Sequence, residues 1–330
     1  MKGEKFKAVP GWRRERACVE WAAMKIAKFF RWLVGGLLAV SLIAAEVAKT
    51  EVAKDPYTAE IEAWRTQRVQ QLTKPDGWLS LIGLHFLKTG ENTVGTAPDN
   101  AVVLAKGPAH LGVFNLADNG TVHVMFNPGT EIKVDGQPVL AATLRDDQRG
   151  RPTMVTVGTV SLYVIDRDGK RALRVKDSDA ATRTHFLGID YFPIDPSWRI
   201  EADWVAFDKP KEVPIANILG SVAPAMILGK AVFTRDGHTY ELLPIQEDPD
   251  GVLFFVISDQ TSGDQTYAAA RFLYAAPAVD GKVVLDFNKA QNPPCAFTSF
   301  ATCPLPPKEN KLPLAVTAGE KKYRGHSASP

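Results

Sequence analysis

Residues 155–169 read VTVGTVSLYVIDRDG, a run of β-branched and aromatic residues that ends at an Asp-Gly pair. The run Val155–Ile165 predicts a β-strand, because such side chains pack well on a pleated sheet. Asp168-Gly169 predicts a tight turn after the strand, because both residue types tolerate the positive φ angles of short hairpins. The stretch therefore indicates antiparallel β-structure.

The same pattern recurs along the chain. Asp-Gly or Asn-Gly pairs stand at 119–120, 135–136, 168–169, 236–237, 250–251 and 280–281, among the strand-like runs Thr121–Phe126, Val232–Thr234, Tyr240–Ile245, Val252–Ile257 and Lys282–Phe287. After residue 75 no long helical periodicity interrupts them. Strands at this spacing are typical of sandwiches and barrels, so we expect a mostly β protein.

One helix is predicted before the strands, over residues 56–74. Ile61, Trp64 and Leu72 fall on one face at helical spacing, and the run Pro75–Gly77 ends the pattern.

The rest of the chain divides into two predicted β domains. We expect an N-terminal β-sandwich over residues 77–207 and a second β domain over residues 213–320, because the charged, proline-bearing stretch 208–214 is typical of a linker. The proline-rich tail from Pro293 is expected to run extended over the surface, and residues 321–330 are expected to be disordered.

The N-terminus resembles a secretory signal. Residues 32–45 read WLVGGLLAVSLIAA, uncharged after a basic segment and ending in small residues. Such a stretch falls short of the about 20 residues of a membrane-spanning helix, so we predict cleavage after Ala45 and a periplasmic or secreted protein. The alternatives are an inner-membrane anchor over residues 29–45 and, because Met24 is a second candidate start, a start-site extension over residues 1–23.

Charge and motifs narrow the function classes. Nine Lys or Arg and three Glu give residues 1–45 a net charge of +6, so the remaining chain carries −4 of the total +2. A slightly acidic body argues against nucleic-acid binding. The motifs G-x-S-x-G, H-E-x-x-H and G-x-G-x-x-G do not occur in the sequence. No cofactor or metal is expected, and the expected partner is a small-molecule or peptide ligand.

Two cysteines remain after the predicted cleavage, Cys295 and Cys303. An even number of cysteines in an oxidising compartment predicts a disulfide, and closing a loop of this size stabilises a fold by roughly 2.5 kcal/mol. The alternatives are a redox-active thiol pair and a zinc site, for which the spacing is poor.

Polar residues near the chain end form a candidate ligand site. Its members are Asp259, Thr266, Tyr267, Arg271, Asp286, Asn288 and Asn292. One interpretation is a buried network that anchors the tail, with Arg271 paired to Asp286 or Asp259. The other is a pocket in which Arg271 holds an anionic group and Asp286 acts as acid or base. Glu320 is a further candidate partner for Arg271.

Several segments carry a family resemblance. These are GWLSLIGLHFLKTGENTVGTAPDN (77–100), LRVKDSDAATRTHFLGIDYFPIDPSWRIEA (173–202), DQTSGDQTYAAARFLYAAP (259–277), DFNKAQNPPCAFTSFATCPLPPKENKL (286–312) and AGEK (318–321). The sequence resembles domain of unknown function 1684 of bacteria and archaea, departing from it at Ala270, where glycine is usual, and at Gln291, where tyrosine is frequent. The resemblance implies an architecture but no activity.

Residues 85–165 resemble, more weakly, a forkhead-associated domain, a β-sandwich that binds phosphothreonine. The pattern is carried by Leu87, Gly90, Val94-Gly95, Asp99-Asn100, Val102, Leu104, His110 and Val134–Gly136. Thr96 and Gly107 stand where that family has its phosphate-binding arginine and serine. The resemblance therefore implies the sandwich fold without phosphopeptide binding.

Three functional hypotheses follow. The leading one is an exported binding or accessory protein of the cell envelope. The alternatives are an envelope hydrolase with a polar site around Arg271, Asp286 and Asn288, and a structural or assembly module.

Overall fold

The computed structural model describes residues 55–129, 131–245 and 251–325. The predicted signal segment and anchor lie outside the described residues. The helices are α1 (Pro56–Leu72) and α2 (Ala181–Thr184). The strands are β1 (Leu81–Phe86), β2 (Gly90–Gly95), β3 (Val102–Val103), β4 (Gly112–Leu116), β5 (Val122–Phe126), β6 (Ile132–Val134), β7 (Gln137–Pro138), β8 (Ala141–Leu144), β9 (Val155–Val157), β10 (Val160–Arg167), β11 (Lys170–Asp177), β12 (Arg199–Ala216), β13 (Val222–Arg235), β14 (His238–Leu242), β15 (Leu253–Ile257), β16 (Arg271–Ala275) and β17 (Lys282–Asp286). The protein is mostly β, as predicted.

The first β-region is a sandwich of two sheets. One sheet has the strand order β1-β11-β10-β9-β6-β7, and the other has the order β3-β2-β4-β5-β8. Alternate residues face inward along each strand, so Leu162 and Leu173 of the first sheet share a core with Phe114 and Val124 of the second.

The Asp-Gly turns behave as the sequence predicts. Strands β10 and β11 pair with Arg167 opposite Lys170, leaving Asp168-Gly169 as a two-residue loop. Both loop residues have positive φ, 56° and 77°, which is the geometry of the turn whose twist matches that of the flanking strands. The pairs at 135–136, 236–237 and 280–281 share this geometry.

The second β-region combines a four-stranded sheet, β14-β13-β12-β17, with the two-stranded sheet β15-β16. Its core includes Trp198, Phe255, Leu273 and Phe287. Strands β12 and β13 form a long antiparallel hairpin whose far end is closed by a hydrogen bond from Asn217 N to Ser221 O of 2.8 Å.

The predicted linker at 208–214 is wrong, because those residues lie inside β12 and pair with β13 from Lys211 onward. The core of the sandwich ends at Val175, while Trp198 already belongs to the second core. Charged and proline residues occur here because the outer part of a two-stranded ribbon is exposed, not because the chain leaves the fold.

The predicted course of the tail is also wrong. Cys295, Asn310 and Val316 are buried rather than lying over the surface. Residues 321–325 were predicted to be disordered, yet Tyr323 stacks on Phe186 at 5.5 Å between ring centroids. Residues 326–330 lie outside the described residues. In the part of the chain that the structure describes, no helix is long and apolar enough to cross a membrane.

Candidate functional site

Arg271 lies in the interior, with 1% of its surface exposed, where β16 begins. Its Nη2 donates to Asp259 Oδ2 at 2.8 Å and to the carbonyl of Val316 at 2.9 Å. Nη1 donates to the carbonyl of Ala318. Of the two partners considered from the sequence, the structure selects Asp259. Burial lowers the pKa of Arg271, and the Asp259 carboxylate opposes that change.

Asp259 follows the end of β15 and organises the turn there. Its Oδ1 accepts hydrogen bonds from the backbone N–H of Thr261 at 2.8 Å and from that of Val316 at 3.2 Å. The hydroxyls of Thr261 and Thr266 are 2.9 Å apart and extend the network. Because these groups are bonded to one another and buried, they tie the tail to the strand ends.

Tyr267 belongs to a different part of the candidate set. Its hydroxyl donates to the carbonyl of Cys295 at 3.2 Å, and burial raises its pKa.

Asp286 forms a second network with α1. Tyr57 Oη donates to Asp286 Oδ1 at 2.9 Å and accepts from Asn288 Nδ2 at 2.9 Å. The backbone N–H of Asn288 also donates to Asp286 Oδ1. Burial first, and then the hydrogen bond to Asp286, raise the pKa of Tyr57. Among the described residues no hydrogen bond or ion pair joins Asp286 to Arg271.

Asn292 belongs to a third network, centred on Glu320. Glu320 is fully buried; its Oε1 accepts from Arg68 Nε at 2.9 Å and its Oε2 accepts from the backbone N–H of Asn292 at 2.7 Å. Gly319 directs this turn with a φ of +80°, and a Cβ there would lie 2.4 Å from the Ala290 carbonyl oxygen. Glu320 is a partner of Arg271 through its backbone, because its carbonyl accepts a hydrogen bond from Arg271 Nη1 at 3.5 Å, whereas its side chain bonds to helix α1.

The candidate residues are therefore near one another in sequence but divided among three hydrogen-bond networks, around Arg271, Asp286 and Glu320, with Tyr267 bonded separately to Cys295. None of the described cavities is lined by Arg271, Asp286 or Asn288. Sequence reasoning missed Tyr57 and Arg68 as partners, because they are over 200 positions away along the chain. The one sequence feature that could have indicated them is that each is a polar side chain on the predicted helix.

The two cysteines are buried neighbours. Both are thiols in the structure, and the backbone N–H of Cys295 donates to Cys303 Sγ at 3.2 Å. A hydrogen bond from the Cys303 thiol lowers the pKa of Cys295 and raises that of Cys303. The disulfide between them stays a prediction.

A cavity of about 570 Å³ lies beside the far half of the β12–β13 hairpin. We call it the hairpin groove. Its walls come from that hairpin, the β10–β11 turn, the segment after β14, β15 and the tail segment 302–304. They include Arg167, Ile215, Met226, Ile245, Phe254 and Thr302. Local sequence patterns do not predict this groove, because its walls come from five separate segments of the chain.

Phe254 contributes an aromatic ring to the groove wall and is itself backed by two other rings. Phe254 packs edge-on against Phe272 at 4.8 Å between ring centroids and stacks on Tyr274 at 4.9 Å. Met226 has 48% of its surface exposed on the hairpin side. Among the described residues no group of three or more His, Cys, Asp or Glu side chains is arranged to hold a metal ion. The arrangement can bind an apolar group by burying it.

The fold and these networks define a mostly β protein whose central polar residues bind its own tail. The chain belongs to the family described as protein of unknown function (DUF1684), whose model matches residues 184–321. No curated protein matches the sequence.

Two solved structures resemble the chain. A solution NMR structure of an uncharacterized protein from Haloarcula marismortui is 32% identical over 44% of this chain and 81% of that one, with a TM-score of 0.37. A crystal structure of Rad53 1–466 in complex with AMP-PNP is 13% identical over 66% of this chain and 51% of that one, with a TM-score of 0.17. The chain thus spans about half of the Rad53 chain.

Proposed function

We propose that this chain is an exported binding protein of the cell envelope and that the hairpin groove holds its ligand. The observation that carries the proposal is the groove itself, whose volume of about 570 Å³ lies in the usual range of small-molecule sites. An apolar wall with a few polar groups at its rim is the common composition of such sites.

The charges near the groove favour an uncharged ligand segment. Arg167 and Asp168 both line it, and the Arg167 guanidinium pairs with the Asp147 carboxylate at 2.8 Å, so no net positive charge faces the cavity. The Thr302 hydroxyl accepts from Arg167 at 3.2 Å and keeps its O–H for donation. We therefore expect a ligand with an apolar body and a hydrogen-bond acceptor near Thr302.

Binding is favoured over catalysis by the state of the polar residues. Arg271, Asp259 and Glu320 are buried and engaged with protein groups. A general acid or base must reach its substrate within hydrogen-bond distance, and the described cavities do not offer that access to these side chains. Their role in the proposal is to hold the body rigid.

Fragment binding tests the groove. A library of uncharged apolar fragments and short peptides is screened against the wild-type protein by ligand-observed NMR, and hits are titrated against Met226→Asp. The added carboxylate would have to be desolvated beside an apolar ligand, so we expect affinity to fall at least about tenfold. Met125→Asp is the matched control, because Met125 is 68% exposed on the sandwich.

Equal affinity for the wild type and Met226→Asp, or an equal loss in Met125→Asp, would contradict the groove. Export is tested separately by sequencing the N-terminus of protein recovered from the periplasm of a bacterial host. We expect the mature chain to begin at Glu46, whereas an intact N-terminus in the membrane fraction would support the anchor.

A further inference from the structure

The cysteine pair lies directly behind the groove wall. Cys295 and Cys303 are 6% and 5% exposed and pack in one apolar cluster with Phe272. Ile245 and Phe254, which line the groove, pack against the same cluster. The sulfur atoms are therefore separated from the groove by a single layer of side chains, that of Ile245 and Phe254.

The segment that carries Cys303 also holds the far end of the hairpin. The Cys303 carbonyl accepts the backbone N–H of Ile218 at 2.9 Å, and the N–H of Leu305 donates to the carbonyl of Ala216 at 2.8 Å. The neighbouring Thr302 contacts Arg167 of the sandwich. This stretch, 302–305, thus connects the hairpin end to the rest of the fold.

Cys295 is anchored on the opposite side. It lies in a short helical turn, Pro294–Ala296, and its carbonyl accepts from the Tyr267 hydroxyl at 3.2 Å. The chain just before it pairs with the body through Gln291 and Phe272, whose backbones exchange hydrogen bonds of 2.8 and 2.9 Å. In the thiol form, the direct polar contacts from Cys295 to the hairpin-holding segment are its two hydrogen bonds with Cys303, one from the Cys303 thiol and one from its own N–H to Cys303 Sγ.

We propose that Cys295 and Cys303 form an oxidation site for a small organic disulfide, and that its oxidation state sets how firmly segment 302–305 holds the hairpin end. The consequence for ligand binding rests on the proposed function of the groove, whereas the oxidation and its effect on the hairpin do not.

The chemistry balances as a thiol–disulfide exchange. When local opening of segment 302–305 exposes Cys295, its thiolate attacks one sulfur of the external disulfide, forming a mixed disulfide and releasing one thiolate of the oxidant. Cys303 then loses its proton and attacks the Cys295 sulfur, which releases the second thiolate. The protein loses two electrons and two protons, and the oxidant leaves as two thiols. The lowered pKa of Cys295 favours it as the attacking group.

The disulfide bond replaces the weak contacts between Cys295 and Cys303, next to the segment that holds the hairpin end. In the thiol form, segment 302–305 can move away from the hairpin end whenever the hydrogen bonds at Ile218 and Ala216 open. In the disulfide form, residue 303 is fixed to the anchored Cys295, so the acceptor for Ile218 stays in position. We expect the hairpin end to open less often when the bond is formed.

The test is hydrogen exchange on the mature protein equilibrated with oxidised or reduced glutathione, with the thiol state read by alkylation and mass. We expect an intact-mass loss of two hydrogens in oxidised buffer and at least about tenfold slower exchange at the Ile218 and Leu305 amides. The control amide is Thr153, which bonds to the Arg145 carbonyl in the sandwich and is expected to be unchanged.

The variant control is Cys295→Ser with Cys303→Ser, which is expected to exchange like the reduced wild type in both buffers. Two alkylated thiols in oxidised buffer would overturn the oxidation site, and equal exchange in both wild-type states would overturn the coupling. The wild-type comparison needs no variant to fold. Titrating fragments against the oxidised and reduced protein measures the effect on ligand affinity. If oxidation slows exchange at the hairpin end but no fragment binds, the oxidation site is supported and the groove as a ligand site is rejected.

Discussion

At the scale of single residues, the protein uses buried charge to fix its tail. Arg271 donates to three carbonyl groups of residues 316–320 in addition to Asp259. A buried guanidinium is costly unless its donors are satisfied. The tail carbonyls compensate the desolvation of Nη1 and Nη2 and are held in place by them, whereas Nε has no hydrogen-bond partner among the described residues. The same logic applies to Glu320, whose two oxygens bind Arg68 and Asn292.

Replacing Arg271 tests this logic. Arg271→Met leaves the Asp259 carboxylate buried without its cation, so we expect the free energy of unfolding to fall by about 3–5 kcal/mol. Urea denaturation measures it. Lys230→Met is the control, because the Lys230–Glu241 pair is partly exposed and such pairs contribute less than about 1 kcal/mol. Equal effects of the two substitutions would show that the buried pair carries no special weight.

Two tyrosines give a contrasting pair. The Tyr57 hydroxyl bonds to Asp286, whereas the buried hydroxyl of Tyr191 has no hydrogen-bond partner in the described part of the chain. We expect Tyr57→Phe to lower the free energy of unfolding by about 1 kcal/mol, and Tyr191→Phe to leave it unchanged or slightly higher. Thermal unfolding at neutral pH compares them; a larger loss in Tyr191→Phe would contradict the assignment.

The raised pKa of Tyr191 predicts that the free energy of unfolding depends on pH. Burial, followed by the Glu320 charge, raises the pKa of Tyr191 above its ordinary value. The unfolded chain therefore releases this proton first, and stability present below about pH 10 is lost as the pH rises further. We expect Tyr191→Phe to lose stability less steeply between about pH 10 and 12 than the wild type, measured by urea midpoints. An identical slope would contradict the raised pKa.

At the scale of elements, helix α1 acts as a clamp on the second β-region. Asp55 caps it by accepting from the N–H of Thr58 at 3.1 Å. One face then contributes Tyr57, Arg65, which donates to the Phe192 carbonyl at 2.9 Å, and Arg68. The helix buries only Ile61 and Leu72 fully, so its docking depends on these polar contacts as well as on apolar burial.

Arg68 tests the clamp. Arg68→Met leaves Glu320 buried and unpaired, so we expect a loss of about 3 kcal/mol in unfolding free energy. Gln67→Met on the exposed side of the same helix is the control and is expected to stay within about 0.5 kcal/mol of the wild type. Hydrogen exchange should show α1 opening earlier in Arg68→Met; unchanged protection would contradict its role.

At the scale of the whole molecule, the sequence predicted what depends on local chemistry. Asp168-Gly169 predicts its hairpin because the turn needs two positive φ angles, and Pro75–Gly77 predicts the end of α1. The pairing of Arg271 with Asp259 rather than Asp286 depends on how distant segments pack, which the local pattern does not encode. The boundary at 208–214 failed because an exposed ribbon and a linker have the same composition.

The tail shows the same limit. Its prolines predicted an extended course, but Asn310 replaces strand pairing by bonding to both backbone groups of Leu243 and to the Val256 carbonyl. Those bonds let a proline-bearing segment cross the interior with its polar groups satisfied. Nothing within the stretch itself reveals that such partners exist elsewhere in the chain.

The central claim is that the protein binds its ligand in the hairpin groove and uses its buried polar residues to hold the fold. Backbone NMR of the mature protein, titrated with the uncharged apolar fragment that binds tightest, tests it most directly. The account predicts shift changes at Ile215, Met226, Phe254 and Thr302, with Asp259, Arg271 and Asp286 unmoved. Chemical-shift changes centred on Arg271 or Asp286 would contradict it and indicate that the ligand binds at the polar networks.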